Sequence, residues 1–271
     1  TGEILFPNGS FIYQQNDSGT NMNGYSPTGQ FALYDTNPTN SYDFSYELLP
    51  EYTAYYTAGA TTYSNISIAV GSGTQFLYFP VILTQAYADL SISIAPVSPP
   101  RPALNYQNRI IYKNIGNQVE NGEVKFAYEE DVLDFVSSSL IANSQNTLAN
   151  TTTLSWNYSN LLPFETRIID VVLNVNSPTE TPAVNIGDVL GIFSEISTVN
   201  TDEDLSNNSS SLRQVVVGSY DPNDKTCIEG ETVDISMVGE YVHYVIRFEN
   251  TGTYPAQNIV VKDMIDTSKF D

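Results

Sequence analysis

The chain has 271 residues, with 31 acidic against 10 basic side chains and a formal net charge of −21. That balance argues against nucleic acid or anionic lipid as a partner and is compatible with divalent cations. The single cysteine excludes an intrachain disulfide framework and a multi-cysteine zinc site, and no stretch approaches the roughly 20 apolar residues of a transmembrane helix.

Residues 1–88 consist of short β-type runs between polar turns. "GSFIYQQN" and "GQFALYD" alternate, while "YSNISIAV" and "QFLYFPVIL" read as buried strands. We expect a small amino-terminal β-sandwich here, with the Asn/Gly-rich loop 16–29 exposed. The aromatics of 42–63 (Tyr42, Phe44, Tyr46, Tyr52, Tyr55, Tyr56 and Tyr63) fit cross-strand packing better than a sugar-stacking or adhesive face.

A second unit opens with "DLSISIAPVSPPRPAL". Its alternation (Leu90, Ile92, Ile94) predicts an edge or first strand, stopped by Pro96, Pro99, Pro100 and Pro102, which lack ladder donors. Further on, Leu154, Trp156 and Tyr158 share one face. Ile169, Val171, Leu173 and Val175 point inward, with Asp170, Val172 and Asn174 outward. About seven strands over 89–217, with turns at sandwich-like spacing, predict a complete immunoglobulin-like β-sandwich.

The chain also repeats itself. "YQNRIIYKNIGNQVENGEVKF" (106–126) aligns with "VHYVIRFENTGTYPAQNIVVKD" (242–263), placing Ile110 on Ile246, Tyr112 on Phe248, Asn114 on Asn250 and Gly116 on Gly252. Repetition at domain-length spacing means an array of similar domains rather than a solenoid. Residues 218–271 therefore read as a joint, "GSYDPNDK", plus the first strands of an incomplete second repeat. Its apolar positions Val242, Ile246, Phe248, Ile259 and Val261 are patterned for burial and call for a cover, from further polypeptide, from the preceding domain or from a strand of another copy.

The alternating strand, the "N-x-G" turn, "V-x-V-x-D", "L-x-W" and a late "D-x-D…NN" together resemble bacterial immunoglobulin-like surface repeats, the cell-adhesion-related domain among them. "GSYDPNDK" followed by "YVHYVIRFENTGT" resembles large secreted proteins of Bacteroidetes, commonly exported by the type IX secretion system and anchored or released at the cell surface. The resemblance spans about residues 89–271. Over 1–88, "NGYSPTGQFALYD" and "YFPV" resemble transthyretin-like or carboxypeptidase-regulatory-like sandwiches. These resemblances imply an extracellular, bacterial cell-surface location, with other surface proteins or glycans as partners.

For catalysis the inventory is poor. The one histidine, His243, falls on the predicted solvent face of its strand, and Cys227 reads as a small buried filler. No nucleophile elbow, zincin, phosphate-loop or dinucleotide signature is present. The better candidates are two oxygen-rich loops suited to calcium. One carries Asp221, Asn223 and Asp224, the other Asp202 and Asp204 with Asn207 and Asn208. The competing reading makes "DPND" an ordinary proline–Asx turn.

The sequence thus predicts an all-β chain of tandem immunoglobulin-like β-sandwiches in an elongated array. The expected function is non-enzymatic: a structural and adhesive stalk or fibre, open to self-association into a filament by strand exchange. The alternative is a carbohydrate-binding accessory region of a secreted enzyme.

Overall fold

Alternating residues become paired strands wherever both the odd and the even set have a consistent environment to face. A computed structural model of the chain describes residues 5–59, 62–68, 71, 73–218, 224–230, 232, 234, 239–256, 259–261 and 263. The fold is all-β. Its only described helical turns are two short 3-10 segments, Pro50–Tyr52 and Leu205–Asn207.

Among the described residues, six strands precede the central domain: β1 (Gly9–Gln15), β2 (Met22–Tyr25), β3 (Tyr42–Leu48), β4 (Tyr56–Ala58), β5 (Tyr63–Ile66) and β6 (Val81–Leu83). They make a four-stranded sheet, β2-β1-β3-β5, and a two-stranded ribbon, β4-β6. One sheet face is aromatic because register sets Phe11 opposite Tyr46 and Tyr13 opposite Phe44. Their rings lie 5.0 and 6.1 Å apart, so the aromatic run 42–63 includes cross-strand partners, as expected.

Four readings of this region need correction. The loop expected to be exposed over 16–29 contains the strand Met22–Tyr25, where Gly24 is buried. The strand Tyr63–Ile66 in "YSNISIAV" has no buried residue. "GQFALYD" is not a strand. Phe31 instead folds over the sheet, 5.6 Å from the Phe11 ring. Asp35 turns the chain by accepting from the Tyr42 hydroxyl at 2.6 Å, Asn40 Nδ2 at 2.8 Å and the Asn37 amide at 2.9 Å. "QFLYFPVIL" is not a buried strand either. Only Val81–Leu83 pairs, and Phe76, Tyr78, Ile82 and Leu83 are exposed. Phe79 is half-buried, as are Leu77 and Val81, and its ring lies 5.3 Å from Tyr63.

The central domain comprises β7 (Leu90–Pro96), β8 (Asn105–Asn114), β9 (Glu120–Glu129), β10 (Leu133–Ser138), β11 (Ser144–Leu148), β12 (Thr151–Leu161), β13 (Thr166–Val175), β14 (Val189–Thr198) and β15 (Ser209–Val215). They form a four-stranded sheet, β10-β13-β8-β7, and a five-stranded sheet, β11-β12-β9-β14-β15. Between them lies one continuous core containing Leu90, Ile110, Val124, Phe126, Leu154, Trp156, Ile169, Val171 and Leu173. This is an immunoglobulin-like β-sandwich with more strands than the about seven anticipated. The strands not foreseen include β11, "SQNTL", whose residues are all exposed and so show no alternation.

Beyond the sandwich, β16 (Asp224–Cys227) pairs antiparallel with β17 (Tyr244–Arg247). Asp224 is therefore inside a strand rather than in a joint. Tyr244, Val245, Ile246, Phe248, Ile259, Val260 and Val261 are all exposed.

Candidate functional site

The repeat motif has a structural meaning visible at its glycine. A Cβ on Gly116 would stand 2.6 Å from the Asp89 amide nitrogen and 2.8 Å from the Tyr87 carbonyl oxygen. Only glycine lets the chain entering the sandwich pass so close. The loop then holds that chain. Ile115 and Gly116 amides donate to the Asp89 carbonyl at 2.8 and 2.9 Å, and the Asn117 amide donates to the Tyr87 carbonyl at 3.1 Å. Asn114 braces the loop from within, its Nδ2 donating to the Gln118 carbonyl at 2.7 Å and to Leu161 at 3.0 Å.

The second copy repeats the arrangement. Thr253 and Tyr254 amides donate to the Gly218 carbonyl at 2.9 and 3.1 Å. Asn250 Nδ2 donates to the Tyr254 carbonyl at 2.7 Å, four residues on, as Asn114 does to Gln118. The strands agree as well. Ile94 pairs with Ile110 in the first unit, and Lys225 pairs with Ile246 at the aligned place in the second. Gly218 thus stands where Tyr87 stands. The outgoing end of the sandwich joins the same junction: the Val217 amide donates 3.0 Å to the Pro100 carbonyl, and the Arg101 guanidinium lies 5.0 Å over the Tyr254 ring.

The acidic residues singled out from sequence are spread over this framework. Asp202 is buried, accepting from the Leu90 amide at 3.0 Å on one oxygen and from the Asp204 amide at 3.0 Å on the other. Asp204 caps the 3-10 turn, accepting from the Ser206 amide and hydroxyl at 3.0 and 2.6 Å, which lowers its pKa. Asp224 is paired with Arg247, whose Nε approaches to 2.9 Å, and its pKa is lowered chiefly by that bond. Asp221 and Asn223 lie outside the described residues.

Among the described residues, no three His, Cys, Asp or Glu side chains are grouped to hold a metal ion. Asp89 adjoins the Asp202 loop, where Asn207 Nδ2 donates to it at 3.1 Å. Its pKa is raised, first by burial and then by Asp202, Asp204 and Glu203. The side-chain oxygens of Asn207 and Asn208 are buried there without a donor.

Glu229, not foreseen from sequence, draws the one cysteine and the one histidine together. His243 Nδ1 is 2.7 Å from Oε1, while the His243 amide at 2.9 Å and Cys227 Sγ at 3.3 Å bond Oε2. These bonds, the histidine's foremost, hold the Glu229 carboxyl down to about 2. The carboxylate separates thiol from imidazole, so the geometry is that of a turn clasp and not of a nucleophile–base pair. Cys227 is half-buried and bonded, which corrects its reading as a buried filler. His243 is 67% exposed, but Tyr244, Ile246 and Phe248 of the face expected to be buried are exposed as well, so the segment has no distinct solvent side.

Residues 221–271 match a family described as "Domain of unknown function (DUF7619)". No curated protein matches the chain. Among solved structures, the chain is similar to the CARDB domain of a Pyrococcus furiosus protein in complex with di-metal ions: 13% identity, TM-score 0.35, covering 49% of this chain and 96% of that one. It is also similar to a non-cellulosomal cohesin from Archaeoglobus fulgidus (14%, TM-score 0.31, 48% and 93%). A bacterial hydrophobin is a third (10%, TM-score 0.30, 49% and 98%).

Proposed function

We propose that the chain is a non-enzymatic structural and adhesive segment of a bacterial extracellular surface protein, in which sandwich repeats are fastened in series. The observation that carries this reading is the recurrence of one grip, Asn117 on Tyr87 and Thr253 on Gly218. Backbone hydrogen bonds at each entry fix how one unit leads into the next, which a stalk requires and an isolated binding domain does not. The surface location and export by the type IX route of Bacteroidetes rest on the resemblance of 218–263 to such repeats. Other surface proteins or glycans would be the partners.

The reading is tested by presenting the chain on beads and measuring retention on bacterial and host-cell surfaces, beside a glycan array and turnover assays on ester, peptide and glycoside substrates. Retention without turnover supports it. Turnover abolished by one point substitution would sink it. The carbohydrate-binding alternative draws on the exposed rings Tyr34, Phe76 and Tyr78 beside the aromatic sheet. A defined sugar class on the array, lost in Phe76→Ala/Tyr78→Ala, would favour it.

For calcium, the loop Asp202–Asn208 is the better place, because Asp202, Asp89 and the unpartnered amide oxygens of Asn207 and Asn208 supply the oxygen ligands that ion prefers. Calorimetric titration should show binding that Asp202→Asn weakens. No heat of binding would remove the metal from this reading.

A further inference from the structure

The edges of the central sandwich are not alike. β7 ends on Pro96 and has its Ile94 amide occupied by Ser210 Oγ at 3.2 Å. β10 carries Asp134 and a register shift between Phe135 and Ser137. β15 carries Arg213. Charges, prolines and bulges are the usual devices against edge-to-edge pairing. β11 has none of them: "SQNTL" pairs with β12 in unbroken register from Ser144–Ser155 to Leu148–Thr151, and all five residues are exposed.

Its surroundings are equally bare of charge. In a chain of net charge −21, residues 135–164 contain no Asp, Glu, Lys or Arg. Apolar side chains stand out beside the edge, Leu148 at 79% and Ile141 at 95% exposure. Leu148 is held by its pairing with Thr151 and Ile141 by bonds on either side of it. The Trp156 indole N–H fixes the Leu140 carbonyl at 2.9 Å, and the Asn143 amide fixes Ser155 at 2.8 Å.

We propose that β11 is a self-association edge, pairing antiparallel with β11 of a second copy to join two five-stranded sheets across a two-fold axis. Charge chooses this occupant. Two copies repel across most of their acidic surfaces and can approach most cheaply through the neutral stretch both possess, whereas a basic partner gains nothing from an uncharged edge. An antiparallel strand is also complementary to itself. With the axis at Asn146, Ser144 faces Leu148 of the second copy and Gln145 faces Thr147, so no like charges meet. Five paired residues give a weak contact, which repetition along a surface array would multiply. The inference is independent of what the chain adheres to.

Sedimentation velocity on the 271-residue chain tests it. A reversible monomer–dimer equilibrium is expected, tightening with salt as the screening length falls from about 10 Å at 0.1 M to about 3 Å at 1 M. Gln145→Glu/Asn146→Asp should weaken it by about tenfold or more, with an unchanged circular dichroism spectrum. In a Cys227→Ser background, Asn146→Cys should oxidise to a disulfide-linked dimer, since facing Cα atoms sit about 5 Å apart, and Asn157→Cys on the neighbouring strand should not. A chain monomeric at high salt and high concentration would overturn the proposal. So would a dimer weakened by salt, one indifferent to the acidic variant, or equal cross-linking at both cysteines.

Discussion

Trp156 is 3% exposed in the same core as Ile110 and Val171, and its indole N–H is satisfied by the Leu140 carbonyl at 2.9 Å. Trp156→Ala removes the largest core side chain and that bond, and should cost about 3–5 kcal/mol, read as a lowered denaturation midpoint. Gly122 gives the opposite kind of sensitivity. A Cβ there would meet the Ser197 carbonyl oxygen at 1.8 Å, so Gly122→Ala should cost about 1–3 kcal/mol through overpacking against backbone. Asp89 supplies the pH signature. Its folded pKa is raised, first by burial, so its contribution to stability is complete below the unfolded value of about 4 and is lost as pH rises through the folded value. Asp89→Asn, measured in chelator, should therefore raise the melting temperature at neutral pH and make little difference in acid. Asp35 acts with the reverse sign. Held down to about 2, first by the Tyr42 hydroxyl, it stabilises above the ordinary carboxylate range and stops doing so as pH falls toward 2. A melting-temperature gap for Asp89→Asn that stays constant with pH would show that the carboxylate is not the cause.

Asn114 and Asn250 occupy one place in the repeat but differ in setting. Asn114 is fully buried and serves two carbonyls, whereas Asn250 is exposed, with its Nδ2 on the Tyr254 carbonyl and its Oδ1 on the Gly252 amide. Asn114→Ala should cost about 1–3 kcal/mol by stranding buried acceptors, and Asn250→Ala less than about 0.5 kcal/mol. Equal costs would mean that the second loop is buried in solution. Elements facing a core on one side and water on the other were legible from sequence. β13 alternates without fault, with Ile169, Val171, Leu173 and Val175 all buried. β11 was not legible, because an edge strand exposed on both faces leaves no period to read. Gly29–Asp35 misled in the other direction: its alternation serves a segment folded over an aromatic sheet, where Phe31 packs ring to ring. The repeat was legible, and the grip it encodes was not, since a glycine's neighbours across space leave no mark in the chain. Glu229 gave no sign at all, lying fourteen residues from His243 in an acid-rich sequence.

At the scale of the whole molecule, burial is concentrated in one place. The core cluster runs from Leu90 to Val216, while among the described residues the buried hydrophobic side chains outside it are Tyr42, Tyr56, Tyr87 and Ala88. The amino-terminal sheet relies on half-buried aromatic contacts such as Phe11–Tyr46 at 5.0 Å, and β16–β17 exposes Tyr244, Val245 and Ile246. Local opening free energy follows buried apolar contact, because backbone hydrogen bonds that water can reach are lost at little cost. Amide hydrogen exchange should therefore divide the chain into three classes. β8, β9, β12, β13 and β14 should exchange last, through global unfolding of the sandwich. β1 and β3 should exchange sooner, and β16 and β17 first, since a two-stranded ribbon exposed on both faces is marginal by itself. The same experiment examines the grip. The Thr253 and Tyr254 amides donate to Gly218, and should be slower than β17 if the junction is held from the sandwich side. Protection of β17 equal to that of β13 would contradict this ordering and mean that its apolar face is covered in solution.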